Sequence, residues 1–256
     1  AAVSRWMVLG RFVICALPIL AIVWQAFAAD WATWVGLLDA EVLAALWNTL
    51  HFSALALVLA TVLGVLHALA AQHSVVWRAA AFLPFVVSPV TVAFGLLLLY
   101  PGLTASLPLL LAAYAVLAYP FVAKSLSAGV DGLPVNLLQA ARTLGATPQR
   151  TFWRVTLPLL RPALRRGMAF AAATALGEFA VTLFLSRPEW ATLTTLIYQR
   201  LGHPGARSLD EAFVLACLLM LLALLAFLLI EWPTPDRPED STTPANTLHR
   251  GEAHHA

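Results

Sequence analysis

Charged residues are scarce in this sequence: Asp, Glu, Lys and Arg make up 11% of its 256 residues. A soluble globular domain carries about 25%. Hydrophobic residues reach 61%, and the mean hydropathy is +0.83. This composition excludes a soluble globular domain, because that much apolar surface cannot all be buried in one core. It predicts a chain that lies largely in a membrane.

Cysteine is also rare, and the common catalytic motifs are absent. Cys15 and Cys217 both lie inside apolar runs, as small packing or lipid-facing residues do, which excludes a disulfide or metal pair. The sequence has no Gly-x-x-x-x-Gly-Lys-Ser/Thr loop, no Gly-x-Ser-x-Gly elbow and no His-Glu-x-x-His motif. We therefore expect no ATP hydrolysis, no metal and no cofactor in this chain. An intramembrane enzyme would have to use His51, His67 and Glu178, which lack the spacing of a nucleophile and its base.

Six apolar runs are long enough, at about 20 residues, to cross a bilayer as helices. These predicted spans cover residues 12–29, 49–71, 79–100, 103–123, 167–186 and 212–230. In the third, Pro84 and Pro89 predict either a kinked helix that lines a pathway or a bent packing helix. The fold class is therefore all-α, a polytopic membrane domain over residues 1–232. The tail at 233–256 is rich in Pro, Thr and acidic residues, which predicts disorder.

Lys and Arg are distributed unevenly between the predicted loops. If both termini lie in the cytoplasm, only Arg187, Arg200 and Arg207 of the 15 Lys and Arg residues fall on the outer side. Cytoplasmic loops of membrane proteins carry the excess of Lys and Arg. The sequence therefore predicts that both termini and the long central loop, residues 124–166, face the cytoplasm.

The sequence of the central loop predicts two short helices with a break between them. The first covers residues 134–144, and Gly145 follows its last apolar residue, where a left-handed helix end costs least. Thr147 and Pro148 predict the start of the second helix, a capping residue followed by proline. This polar hairpin interrupts the apolar blocks of the sequence.

Four arginines predict an anionic partner for the second helix. Arg150 and Arg154 are four residues apart, a spacing at which like charges repel on an isolated helix. Arg161 and Arg165 extend the same stripe if the helix continues through Pro158. Either lipid headgroups or an acidic protein surface would relieve the repulsion, and anchoring to the membrane alone explains the stripe as well.

The loop also carries a spaced pattern, namely Gln139-Ala140-Ala141, then Gly145 after three residues, then Val155-Thr156-Leu157-Pro158 after nine more. It resembles the Glu-Ala-Ala…Gly…Ile-x-Leu-Pro loop of bacterial ABC importer permeases, with departures at Gln139 and Val155. The resemblance implies a coupling helix that docks into a groove on a cytoplasmic ATPase subunit. The docking residues it implies are Gln139, Ala140, Ala141, Leu144, Gly145, Arg150 and Arg154. The alternative is an amphipathic hairpin that lies on the membrane surface.

A second candidate site lies in the fifth predicted span, at Gly177, Glu178 and Phe179. An ionisable residue inside a span costs about 2.5–3.5 kcal/mol on insertion scales, so a function is the default hypothesis. A packing hydrogen bond from a protonated Glu178 is the alternative. The run resembles the Leu-Gly-Glu-Phe-Gly segment of ABC permeases for thiamine, ferric iron, molybdate and sulfate, with Ala180 in place of the second Gly. The residues that follow resemble the thiamine and ferric-iron type most, which implies that residues 177–179 line the translocation pathway.

The resemblance implies that the chain is a bacterial inner-membrane permease of an ATP-driven importer, and that the permease itself catalyses no covalent reaction. Its partners would be two cytoplasmic ATPase subunits that hold ATP and Mg²⁺, a second permease domain, an extracytoplasmic solute-binding protein and membrane lipid. No nucleic acid is expected. The chain could be the C-terminal half of a fused double permease. The alternatives are a molybdate or sulfate permease and an ion-coupled secondary transporter that uses Glu178 as a proton carrier.

Overall fold

The computed structural model describes residues 2–231, so the predicted tail at 233–256 lies outside the described residues. The described part is helical and contains no strand. Its helices are α1 (Ala2–Ala28), α2 (Trp31–Val35), α3 (Ala40–Ala71), α4 (Val75–Ala80), α5 (Leu83–Val86), α6 (Pro89–Leu99), α7 (Leu107–Asp131), α8 (Val135–Thr143), α9 (Pro148–Thr151), α10 (Leu157–Leu176), α11 (Ala180–Leu185), α12 (Leu193–Gly202) and α13 (Ala206–Ile230). The prediction of an all-α fold is confirmed.

Four helices in the described part are long and apolar enough to cross a bilayer: Gly10–Ala28 of α1, and the whole of α3, α7 and α13. The pair Val75–Val86 and Pro89–Leu99 makes a fifth candidate, bent by 97°. Several of these helices extend further than the sequence predicts, since α3 begins at Ala40, α7 continues to Asp131 and α13 begins at Ala206. Lys124, expected in the central loop, therefore lies within α7.

The bend in the third predicted span has a proline as its cause. Ser88 precedes Pro89, and a proline ring disfavours helical geometry in the residue before it. Ser88 accordingly has φ −62° and ψ 138°, and Val87 is extended as well. The span at 79–100 is therefore two limbs, α4–α5 and α6, which meet near a right angle. The predicted interruption is confirmed, and whether it lines a pathway stays a prediction.

The fifth predicted span, residues 167–186, is wrong as one continuous helix. The structure begins α10 at Leu157, inside the predicted loop, and ends it at Leu176. Residues 177–179 break the helix before α11 begins at Ala180. Glu178 contributes to this break, because its side chain takes a backbone N–H that a continuous helix would have used.

Small residues let α3, α7 and α10 pack closely at the centre of the protein. Gly64 of α3 and Gly167 of α10 both lie against Val122 of α7, and a Cβ on Gly64 would come within 2.6 Å of the valine Cβ. Successive contacts move forward in sequence along both α3 and α7, so these two helices are parallel. The same contacts move backward in sequence along α10, which is therefore antiparallel to them. Membrane helices associate through such close contacts, because lipid tails are as apolar as the side chains.

Ion pairs collect at the two ends of this bundle. The pairs are Arg78–Asp131 and Arg166–Glu231 at one end, and Arg200–Glu41, Arg200–Glu211 and Arg207–Glu211 at the other. Between the two ends, large apolar side chains are exposed along α1, α3 and α13. The central hairpin follows α7 and therefore lies at the Arg78–Asp131 end.

Candidate functional site

Residues 134–156 form the first candidate site, a hairpin of two helices between α7 and α10. The predicted first helix is confirmed as α8, Val135–Thr143. The predicted second start is confirmed at Pro148, where Thr147 Oγ1 accepts the backbone N–H of Arg150 at 3.3 Å. This cap satisfies one of the N–H groups that a helix start leaves free.

Gly145 forms the turn between the two helices. Its φ of +76° is the left-handed conformation that the sequence predicts at this position. Two backbone hydrogen bonds close the turn. The N–H of Leu144 donates to Ala140 O at 3.1 Å, and the N–H of Ala146 donates to Ala141 O at 3.0 Å. A Cβ on Gly145 would meet nothing within 4 Å, so only the backbone conformation selects glycine here.

The predicted docking residues lie together on this hairpin. Leu144 is 88% exposed at the tip of the hairpin. Gln139, Ala140 and Gly145 are exposed, whereas Ala141 is partly buried. The structure thus presents an apolar tip on a free surface.

Arg150 and Arg154 face outward beside that tip. With Trp153 they line an open cavity of about 300 Å³. In the part of the chain that the structure describes, no carboxylate lies within ion-pair distance of either guanidinium. Their repulsion is therefore not relieved inside the described residues, which favours an anionic partner outside them.

A widened helical segment, which the sequence analysis did not predict, joins the hairpin to α10. Residues Phe152–Thr156 are π-helical, and the helix then continues through Pro158. In a regular α-helix the ring of Pro158 would clash with the carbonyl of Arg154, and a wider turn relieves that clash. Pro158, placed one turn after Arg154 in the motif, is the signal that could have predicted this segment.

The second candidate site is the break at residues 177–179. Glu178 is buried, with 8% of its surface exposed, and its Oε1 accepts the N–H of Val181 at 3.1 Å. The carboxylate therefore caps the start of α11. Gly177 is exposed, and Phe179 is partly buried with its ring centroid 5.1 Å from that of Tyr198.

Buried hydroxyl groups, which sequence reasoning missed as a group, hold the break in place. Thr194 Oγ1 donates to the backbone oxygen of Glu178 at 3.0 Å. Thr192 and Thr195 form a capping box at the start of α12, and Thr49 Oγ1 accepts the N–H of Leu193 at 2.9 Å. The Thr-x-x-Thr spacing at 192–195 is a signal that could have predicted this cap.

The two candidate sites lie far apart and are connected by one helix, α10. The 20 residues of α10 separate the hairpin from the break, which corresponds to about 30 Å at 1.5 Å per residue. Arg166, at the Glu231 end, lies about 18 Å along the helix axis from Glu178 by the same rise per residue. Glu178 therefore lies well inside the bundle from the Arg166–Glu231 pair.

The fold and these two sites define a class: a polytopic helical membrane protein with a free hairpin at one end and a broken helix in its interior. Residues 69–232 match the family described as binding-protein-dependent transport system inner membrane component. This match covers more than half of the sequence. The chain therefore belongs to that family, whose members are transport components, as the pattern at 139–158 predicts.

The chain is similar in sequence to curated permeases of two kinds. It is 37% identical over 123 residues to the molybdenum transport system permease protein ModB of Escherichia coli K12, covering 47% of the chain and 53% of the relative, so it spans about half that protein's length. It is 33% identical over 258 residues to ModB of Mycobacterium tuberculosis H37Rv, covering 90% of the chain and 95% of the relative. The sulfate transport system permease protein CysT of Escherichia coli K12 is 34% identical over 118 residues, covering 44% of the chain and 43% of the relative.

Solved structures confirm the fold. The chain resembles a bacterial ABC transporter for import of the acidic polysaccharide alginate, with a TM-score of 0.67 and 20% identity, covering 89% of the chain and 93% of that protein. The same transporter has been solved in complex with an alginate-bound periplasmic protein. At this identity the likeness concerns the fold alone.

Proposed function

We propose that the chain is the permease subunit of an ATP-driven importer for a tetrahedral oxyanion of the molybdate and sulfate class. The support is the similarity to the mycobacterial ModB over 90% of the chain, together with the shorter matches to the ModB and CysT proteins of Escherichia coli. These relatives favour the molybdate or sulfate alternative over the thiamine or ferric-iron type that the residues after Glu178 suggest.

The geometry of Glu178 removes one argument for a cationic solute. A free carboxylate facing the pathway would attract thiamine or ferric iron and repel an oxyanion. Glu178 is buried, and its Oε1 is engaged by the N–H of Val181. An ion-coupled secondary transporter would leave the loop pattern at 139–158 without a role, so an ATP-driven importer fits the sequence better.

In this proposal the break at 177–179 borders the translocation pathway. Exposed Gly177 offers a surface without a side chain, and partly buried Phe179 packs beside Tyr198. Glu178 contributes by holding the break in shape. A second permease domain would supply the opposite wall of the pathway.

The hairpin would connect this chain to its energy source. Two ATPase subunits, which hold ATP and Mg²⁺, would receive the tip at Leu144 and the cations at Arg150 and Arg154. An extracytoplasmic binding protein would deliver the solute, as the alginate transporter is seen with its periplasmic protein. The proposed location is the bacterial inner membrane with both termini in the cytoplasm, an orientation supported by the distribution of Lys and Arg.

The experiment that tests the solute measures uptake in cells that lack the gene and carry a plasmid copy. We expect labelled molybdate or sulfate to accumulate and labelled thiamine to stay at the level of the empty plasmid. The matching binding protein should bind the same oxyanion in calorimetry. Thiamine or ferric iron accumulation without oxyanion accumulation would contradict the proposal.

A further inference from the structure

An apolar cavity of about 410 Å³ lies between the helix bundle and the hairpin. Its walls come from the end of α3, the end of α7 and the start of α10. They include Val65, Ala68, Leu126, Phe152, Leu160 and Leu164. A cavity of this size and lining falls in the range of small-molecule and lipid sites, about 300–1,000 Å³.

Exposed apolar residues lie close to one side of this cavity. Val75, Val76 and Trp77, which follow the end of α3, are strongly exposed apolar residues. Such residues belong in lipid or at its interface. The next residue, Arg78, is bound to Asp131, which lines the cavity. The cavity therefore borders the leaflet on the hairpin side of the bundle.

The surface beside the cavity is positively charged. Arg161 lies one helical turn after the lining residue Leu157 of α10, Arg165 lies one turn further along, and both are exposed. Among the described residues, no carboxylate lies within ion-pair distance of either one. Arginine is well suited to bind a phosphate through two N–H groups. An occupant that complements both features has an apolar tail and an anionic head.

We propose that this cavity binds one acyl chain of an anionic phospholipid, whose phosphate contacts Arg161 and Arg165. One wall is the π-helical segment Phe152–Thr156, which joins the hairpin to α10. The bound lipid therefore sets the position of the hairpin against α3 and α7. Its binding depends only on this chain, whereas its effect on ATP-driven transport rests on the proposed function.

Lipid binding is tested on the purified, delipidated full chain by native mass spectrometry with added phosphatidylglycerol or phosphatidylcholine. The wild-type chain should retain one phosphatidylglycerol and little phosphatidylcholine. Leu69→Trp, at a half-exposed position that lines the cavity, should lose that lipid. Leu59→Trp is the matched control, because Leu59 is equally exposed on the same helix and does not line the cavity.

Two further variants keep the test decisive. Leu133→Trp fills the cavity from the end of α7 and replaces Leu69→Trp if that variant does not fold. Arg161→Gln with Arg165→Gln should reduce phosphatidylglycerol retention to the phosphatidylcholine level. Equal retention of both lipids by the wild-type chain, or full retention by the filled variants, would overturn the inference.

The effect on coupling is tested in vesicles of phosphatidylcholine with and without phosphatidylglycerol, using the complex with its ATPase. Phosphatidylglycerol should raise solute-stimulated ATP hydrolysis in the wild-type protein and in Leu59→Trp, and this gain should be lost in Leu69→Trp. If phosphatidylglycerol still raises ATP hydrolysis in Leu69→Trp, the increase comes from the general charge of the membrane surface, and the inference is overturned. Oxyanion transport without specific lipid binding would leave the proposed function intact, whereas specific binding without oxyanion transport would refute the proposed function alone.

Discussion

Glu178 shows how the meaning of one residue depends on where its side chain points. In the sequence it is an acid inside an apolar run, which suggests contact with a solute. In the structure its Oε1 accepts the Val181 N–H, and its backbone oxygen accepts from Thr194. Glu178 therefore stabilises the break between α10 and α11.

We predict that Glu178→Gln retains transport, because a glutamine side-chain oxygen can accept the same Val181 N–H. Glu178→Ala should lower the free energy of unfolding by about 0.5–2 kcal/mol, the usual cost of losing a helix cap. Thermal unfolding and oxyanion uptake, measured at matched protein levels, check both changes. If the Gln variant unfolds normally yet fails to transport, the charge of Glu178 acts on the solute.

Gly145 permits the second residue-scale prediction. Its φ of +76° is strained for a β-branched residue, at roughly 1–2 kcal/mol for a residue with a Cβ. Gly145→Val should insert normally but uncouple ATP hydrolysis from uptake, because the hairpin tip changes direction. Gly145→Asn is the matched control, since Asn tolerates the left-handed region.

The measurement for Gly145 is the ratio of solute transported to ATP hydrolysed in reconstituted complexes. We expect a low ratio for Val and a nearly normal ratio for Asn. A normal ratio in the Val variant would show that the hairpin turn has no part in coupling.

Among the elements, the close contact of α3, α7 and α10 is the most sensitive to substitution. A Cβ on Gly167 would lie 2.8 Å from the Val122 Cα, which is backbone and cannot move aside. Gly167→Ala should therefore destabilise the protein by about 1–3 kcal/mol, as overpacking does. Gly95→Ala is the control, because a Cβ there meets nothing within 4 Å and should be neutral or slightly stabilising.

Denaturant titration in detergent, followed by the loss of helical circular dichroism, measures this difference. The Gly167 variant should unfold at lower denaturant than the Gly95 variant. Equal midpoints would mean that α7 and α10 separate more easily than the packing indicates.

The elements also show how far the sequence alone can predict this fold. The helices α8 and α9 follow from local chemistry, because Gly145, Thr147 and Pro148 specify their own turn and cap. The broken helix at 177–179 depends on contacts from distant residues, such as Thr194, that a hydropathy pattern does not contain. Apolar periodicity likewise marks a run as membrane-embedded without showing where a helix inside it ends.

For the whole molecule, the location of the candidate docking residues on one hairpin is predictable, because they lie within 20 residues of one another in the chain, and their docking role stays a prediction. The cavity behind them was not predictable, because its walls come from α3, α7, α10 and the π-helical segment, which are brought together only in the fold. The motif alone does not predict the solute type, because the Leu-Gly-Glu-Phe segment resembles permeases for cations and permeases for oxyanions alike. The longer similarity to the ModB proteins supports the proposed solute class.

The orientation of the molecule gives a prediction of its own. In a chain with Cys15 and Cys217 replaced by Ser, single cysteines at Asp39→Cys and Thr147→Cys lie at opposite ends of the bundle. An impermeant thiol reagent applied to intact spheroplasts should label Asp39→Cys alone. Lysed membranes, in which both sites should react, are the control. Labelling of Thr147→Cys in intact spheroplasts would reverse the proposed orientation.

The central claim is that this chain moves an oxyanion inward at the expense of ATP hydrolysed by a partner. The most direct measurement is uptake of labelled molybdate and sulfate into proteoliposomes that contain the chain, its ATPase and its binding protein, with ATP on the ATPase side. We predict accumulation against a gradient that requires ATP and the binding protein and continues when a proton ionophore is added. Accumulation that needs no ATP and collapses with the ionophore would contradict the account and assign the chain to ion-coupled transport.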